Sequence, residues 1–210
     1  MKNTSRRLKG FTLTEMIIVI AIIGILAAIL APAMSAYYAK SRVKASNADA
    51  KMVYNAAQTE AQKYIAIDRM VSASADRSGL DGVFTVVFHS DGTFDYGTTE
   101  NPSTGEGIPV STTTFSNKQE EAAARIVQAV NRTVSNANTK CWAVYVQNYI
   151  VKGSIAADSD NANFVGYYTA GKTFASERSS LTFNDWIRNT SIGGEAIDCL
   201  ADVGRKYDDP

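Results

Sequence analysis

"KGFTLTEMIIVIAIIGILAA", Lys9 to Ala28, sets one glutamate, Glu15, at the head of an unbroken apolar run. The sixteen residues from Met16 to Ala31 carry no charge and no hydrogen-bonding side chain, and extension to Ala36 gives 21 residues with Ser35 as the one polar side chain. At about 1.5 Å per residue the extended run forms a helix of about 31 Å, enough to cross a hydrocarbon core of about 30 Å. A carboxylate costs about 2.5–3.5 kcal/mol at the centre of such a helix and less near the interface, so Glu15 needs a partner.

The flanks sharpen this. Lys2, Arg6, Arg7 and Lys9 put four positive charges and no acid in the first ten residues. A short basic head followed by an apolar run is a targeting signal whose positive flank stays cytoplasmic. Over the whole chain 21 basic residues balance 21 acidic ones, and without the first ten residues 17 face 21. Neither figure supports a nucleic-acid partner. A composition of 45% hydrophobic and 20% charged residues over 210 positions suits one folded domain plus an appendage. A cleaved secretory signal is the rival reading, with an Ala-x-Ala site at Ala31 to Ala33. Against it, helical periodicity runs straight through that site.

Beyond Tyr37 the chain is rich in Ala, Lys, Gln and Glu without Gly or Pro as far as Val71, which favours helix. Ala39, Val43, Ser46, Ala50, Val53, Ala57, Ala61, Tyr64, Ile67 and Val71 recur at steps of three or four and predict one small-residue buried stripe. One helix is expected from about Thr12 to about Met70, ending at the Ser/Gly/Asp-rich break Ser72 to Gly82. "VFTVVF" (Val83 to Phe88) and "TFDY" (Thr93 to Tyr96) read as a hairpin turning at Asp91-Gly92, followed by a hydroxyl-rich loop from Gly97 to Thr114. Ser116 with Gln119 suggests a capping box opening a helix over about Asn117 to Val134, with Ala123, Ile126, Val127, Val130 and Val134 buried. Cys141 to Val151 and Phe164 to Thr169 read as two strands that pair antiparallel, and Phe183 to Arg188 as a short helix.

Catalytic raw material is thin, and no cofactor is expected. His89 is the single histidine; beside the Asp91-Gly92 turn it reads as an exposed loop residue rather than a general base. No nucleophile elbow, zinc-protease or phosphate-loop motif is present. Asp158, Asp160 and Asn161 lack the spacing and closing Glu of a calcium loop and are expected to be a solvated segment. The two cysteines, Cys141 and Cys199, have no metal-ligand spacing. In an oxidising compartment they suggest one disulfide closing a loop of about 59 residues, worth roughly 4 kcal/mol in the chain-entropy model; two buried thiols are the alternative.

Cleavage between Gly10 and Phe11 would place a new α-amino group one helical turn before Glu15. Amine and carboxylate could then pair within one chain or between neighbouring chains whose apolar helices pack together. At this point "KGFTLTEMIIVIAIIGILAAILAPA" resembles the class III signal of type IV prepilins, the precursors of type IV pili and of type II secretion pseudopilins. The residues that carry the resemblance are the basic leader ending in Gly10, then Phe11, Thr12, Leu13 and Glu15, and the apolar run with Gly24 and Pro32.

The resemblance implies an α+β, pilin-like fold: a long N-terminal helix packed on a small antiparallel sheet head with an additional helix. It implies a leader at residues 1–10, a membrane and filament-core helix at 11–36, an amphipathic continuation at 37–71 and a head at 72–210. A prepilin peptidase would cut after Gly10 and methylate the amine of Phe11. The subunit would wait in the cytoplasmic membrane, and an assembly platform with its ATPase would build it into a helical homo-oligomeric filament on the cell surface, for adhesion or motility. Glu15 and Phe11 would serve assembly, and the helix would melt between Gly24 and Pro32. A shaft pilin is the favoured reading. A pseudopilin of a secretion or DNA-uptake system, or a membrane-anchored surface binding protein, is the alternative.

Overall fold

The computed structural model describes residues 11–72, 76–97, 107–162, 164–169, 172–173 and 183. The leader, Gly10, Cys199 and the expected helix beyond Phe183 lie outside the described residues. The chain divides into two compact units, one ending at Ala39 and the other beginning at Lys40.

Helix α1 is Leu13–Arg69, within a residue of the predicted limits, and holds Pro32 in its interior. In the first unit its large apolar side chains are exposed, from Val19 at 46% to Leu13 at 77%. In the second unit the predicted stripe is buried at Val43, Ser46, Ala50, Val53, Ala57, Ala61 and Tyr64. It departs from prediction at its end, where Ile67 is exposed and Asp68 is buried instead. The Asp68 carboxylate is satisfied there: it accepts from Ser78 N at 3.0 Å, from the Ser78 hydroxyl, and from Tyr149 OH at 3.2 Å. It fastens the chain that leaves the helix.

The remaining elements are β1 (Val83–Phe88), β2 (Thr93–Gly97), β3 (Ile108–Pro109), α2 (Lys118–Thr133), a 3₁₀ turn at Ala137–Thr139, β4 (Cys141–Gln147), β5 (Ile150–Ala157), β6 (Val165–Thr169) and β7 (Lys172–Thr173). The seven strands form one antiparallel sheet in the order β3-β2-β1-β4-β5-β6-β7. One short strand, β3, thus lies within the stretch predicted to be loop; pairing Thr93 with Pro109 and Phe94 with Ile108 draws it to the sheet edge.

The stretch from Cys141 to Val151 is a hairpin rather than one strand. Asn148 and Tyr149 adopt φ of 52° and 62°, a left-handed pair that reverses the chain between β4 and β5. Tyrosine is an unusual choice at that φ. Here it is held by Tyr149 N donating to Leu80 O at 2.7 Å, Asn148 N to Gly82 O at 3.1 Å, and Gln58 Nε2 to Tyr149 O at 3.1 Å. As a result β6 pairs with β5, not with β4, which instead lies between β1 and β5.

One sheet face packs with the second-unit part of α1 and with α2, around Phe84, Phe88, Trp142, Val144, Ile126 and Val53. Each such side chain contributes about 1.5–3 kcal/mol by burial. The helix approaches the sheet very closely: a Cβ on Gly166 would lie 1.9 Å from Ser46 C and 2.3 Å from Asn47 N. Polar side chains use that closeness. Ser154 Oγ donates to Ala50 O at 2.7 Å, Tyr167 N to Asn47 Oδ1 at 2.9 Å, and Val151 N to Gln58 Oε1 at 2.8 Å. The opposite face carries a smaller cluster of Val87, Cys141, Ala143, Ile155, Tyr167 and Phe183.

The capping box of α2 is displaced by one residue from the predicted Ser116 and Gln119. Asn117 is the cap, its Oδ1 accepting from Glu120 N at 2.7 Å, while Glu120 Oε2 accepts from Ser116 N at 2.9 Å. The predicted face of this helix is buried, from Ala123 through Val130 to Val134.

Candidate functional site

The site begins where α1 begins. Thr12 precedes the first helical residue, and its N–H and hydroxyl both donate to Glu15 Oε2 at 2.8 Å. Glu15 N donates back to Thr12 Oγ1 at 3.3 Å, and Met16 N donates to Thr12 O at 3.3 Å. This is a reciprocal capping box, and it satisfies donors that a helix start leaves unpaired. The carboxylate also sits at the positive end of the helix dipole. Thr12 was missed as the carboxylate's local partner, although "TLTE" has the Thr-x-x-Glu spacing.

The box fixes where the charge points. Both contacts converge on Oε2 and turn the exposed carboxylate toward the backbone N–H next to Phe11, a residue 83% exposed. A cation arriving at residue 11 would meet an oriented acceptor rather than a free rotor. Below the site, α1 runs on as a helix long and apolar enough to cross a membrane. Gly24 and Pro32 both lie within it, and a Cβ on Gly24 would find nothing within 4 Å, so packing inside one subunit does not demand that glycine.

Cys141 is buried on the second sheet face, its Sγ 3.5 Å from Ala157 O, and burial pushes its thiol well above the ordinary range. Its predicted partner, Cys199, lies outside the described residues.

His89 is not the exposed loop residue predicted. It is partly buried, with Nδ1 3.0 Å from Asp160 Oδ1 and Nε2 3.2 Å from Asp95 Oδ2. Asp160 is likewise no solvated acid, since its Oδ2 accepts from Ser90 N at 3.1 Å and from the Ser90 hydroxyl. Asp158 fits the expectation better, with a side chain 57% exposed, 3.8 Å from Lys140 Nζ.

An exposed apolar helix headed by an oriented glutamate, joined in sequence to an antiparallel α+β head, defines a class of filament subunit. Comparison with known proteins gives the same class. Residues 5–31 match the family described as the prokaryotic N-terminal methylation motif. A fimbrial protein of Moraxella nonliquefaciens is 32% identical over 152 residues, covering 63% of this chain and 92% of that protein. No solved structure matches the chain. The chain belongs to the type IV pilin family, whose members are structural subunits rather than enzymes.

Proposed function

We propose that the chain is a shaft subunit of a type IV pilus. A prepilin peptidase cuts after Gly10 and methylates Phe11, and the mature subunit waits in the cytoplasmic membrane with residues 11–36 in the lipid. An assembly platform and its ATPase then pack these helices into a helical filament at the cell surface, which serves adhesion or motility. The observation that carries this reading is the Thr12–Glu15 capping box at the head of an exposed apolar helix. It keeps a carboxylate oriented where an amine on Phe11 of a neighbouring subunit could pair with it, and that pairing sets the register between subunits.

Within the filament the helix melts between Gly24 and Pro32, where a missing side chain and a missing N–H weaken it. Residues 37–71 pack as the amphipathic continuation on a head of residues 72–210. Cys141 and Cys199 form a disulfide; in support, Phe183 lies in the same buried cluster as Cys141. Mass spectrometry of the mature protein tests the reading at its root. A first residue of N-methylated Phe11 is expected, whereas a start near Ser35 or an intact Met1 would replace the filament subunit by a secreted or anchored surface protein.

A further inference from the structure

The end of the sheet where β1 turns into β2 carries a group that lies outside the Thr12–Glu15 site. His89 has a carboxylate on each ring nitrogen, Asp160 on Nδ1 and Asp95 on Nε2. An ionised carboxylate only accepts hydrogen bonds, so both contacts are satisfied only when the ring carries both protons. Each carboxylate also holds backbone: Asp160 Oδ2 accepts from Ser90 N at 3.1 Å, and Asp95 Oδ1 from Gly107 N at 2.9 Å. The ring therefore joins three segments far apart in sequence: the β1–β2 turn, the residue leading into β3, and the β5–β6 connection.

We propose that His89 is a proton-operated clasp: its imidazolium ties the β1–β2 turn to the β5–β6 connection, and loss of one proton opens the Asp160 arm. The choice of arm follows from burial. The Asp95 side chain is 8% exposed and that of Asp160 19% exposed, so water can rehydrate Asp160 at lower cost. A neutral ring keeps its proton on Nε2 for Asp95, and its Nδ1 lone pair then faces the Asp160 carboxylate.

Other ionisable groups among the described residues flank the ring and its two acceptors. Burial pushes the Asp160 carboxyl up, but hydrogen bonds from Ser90 and His89 outweigh it and hold the group below the usual carboxylate range. Asp91, in the same turn, is held low by the Thr93 hydroxyl and N–H. Asp158 on the β5–β6 connection faces Lys140, and the Cys141 thiol stays neutral because burial raises it. The clasp is closed while both ring nitrogens carry protons and opens at Asp160 when Nδ1 loses its own.

The test uses the full chain in detergent micelles, where the single histidine gives one unambiguous ring resonance. Hydrogen exchange at Ser90 N–H, corrected for intrinsic exchange, is followed from about pH 5 to 8, the range in which imidazoles titrate. Protection is expected to fall about tenfold in step with the ring signal, the loss of one charge-assisted bond, while Val144 in β4 stays level. In Asp160→Asn the step disappears. In His89→Gln, usable should the first variant not fold, Ser90 protection is low and independent of pH. Level protection at Ser90 across the titration, a ring that does not titrate in this range, or a step that persists in Asp160→Asn overturns the clasp.

Discussion

The two stretches of α1 are both apolar along much of their length, yet they use that character in opposite ways. Between Leu13 and Leu30 the side chains are large, and Ile17, Ile20, Ile25 and Ile29 are each more than half exposed. Between Val43 and Tyr64 the inward residues are small, and Ala50, Ala57 and Ala61 are fully buried. Small side chains bury little area each, but they let a helix backbone approach a sheet closely enough for side chains to bond backbone across the gap. Large exposed ones hold their area for something outside the chain, lipid or copies of the same helix. On the proposed reading the first stretch lets subunits join and the second carries the head.

The largest effect is expected from breaking the first stretch at its charge. On the proposed pairing, Glu15→Ala lowers filament yield at least tenfold, since one lost interaction of about 1.4 kcal/mol per contact recurs at every subunit. Glu15→Gln sharpens the reading. Its amide oxygen can still accept from Thr12, so the cap survives while the charge is lost, and filaments counted by electron microscopy should fall as in Glu15→Ala. Normal filaments from Glu15→Gln would reduce Glu15 to a helix cap.

The second stretch breaks at the point of closest approach. In Gly166→Val the new Cβ meets Ser46 C, Ser46 O and Asn47 N at 1.9, 2.1 and 2.3 Å, all backbone atoms that no rotamer change can move. Denaturant unfolding of the head, read through its tertiary circular dichroism, should show a loss of more than about 3 kcal/mol. A loss under 1 kcal/mol would mean that the helix lies further from β6 than described. The same valine at Gly24 finds open space and should leave the unfolding of the head unchanged.

The contrast also governs what was legible in the sequence. The start of α1 was readable because an uninterrupted apolar run has few solutions, and the stripe because small residues recurred at helical spacing. The stripe failed at Ile67 and Asp68, where the deciding partner, Ser78, sits in the irregular stretch after the helix and no periodicity points to it. The β4–β5 hairpin was hidden because its turn is Asn148-Tyr149 rather than Asn-Gly, and its left-handed tyrosine is held by bonds from Gln58 and to Leu80. His89 was misread for the same reason, since Asp160 reaches it from a different part of the chain. Local pattern marked the elements and the Thr12–Glu15 contact, and contacts distant in sequence decided which polar residues of the head are held inside it.

The smallest effect sits on α2, which like the second stretch buries a face rich in Ala and Val. Its start can be tested by two neighbouring substitutions with opposite expectations. Asn117 caps the helix through its side chain, accepting from Glu120 N, and its Nδ2 donates to Tyr96 OH at 3.0 Å, tying the cap to β2. Asn117→Ala should therefore cost about 1 kcal/mol, measured by the same unfolding transition. Among the described residues Ser116 contributes its backbone N–H, to Glu120 Oε2 at 2.9 Å, and an alanine keeps that donor. Ser116→Ala should stay within about 0.5 kcal/mol of the parent. A reversed order would move the cap back to Ser116, and with it the first turn of the helix whose buried face begins at Glu120.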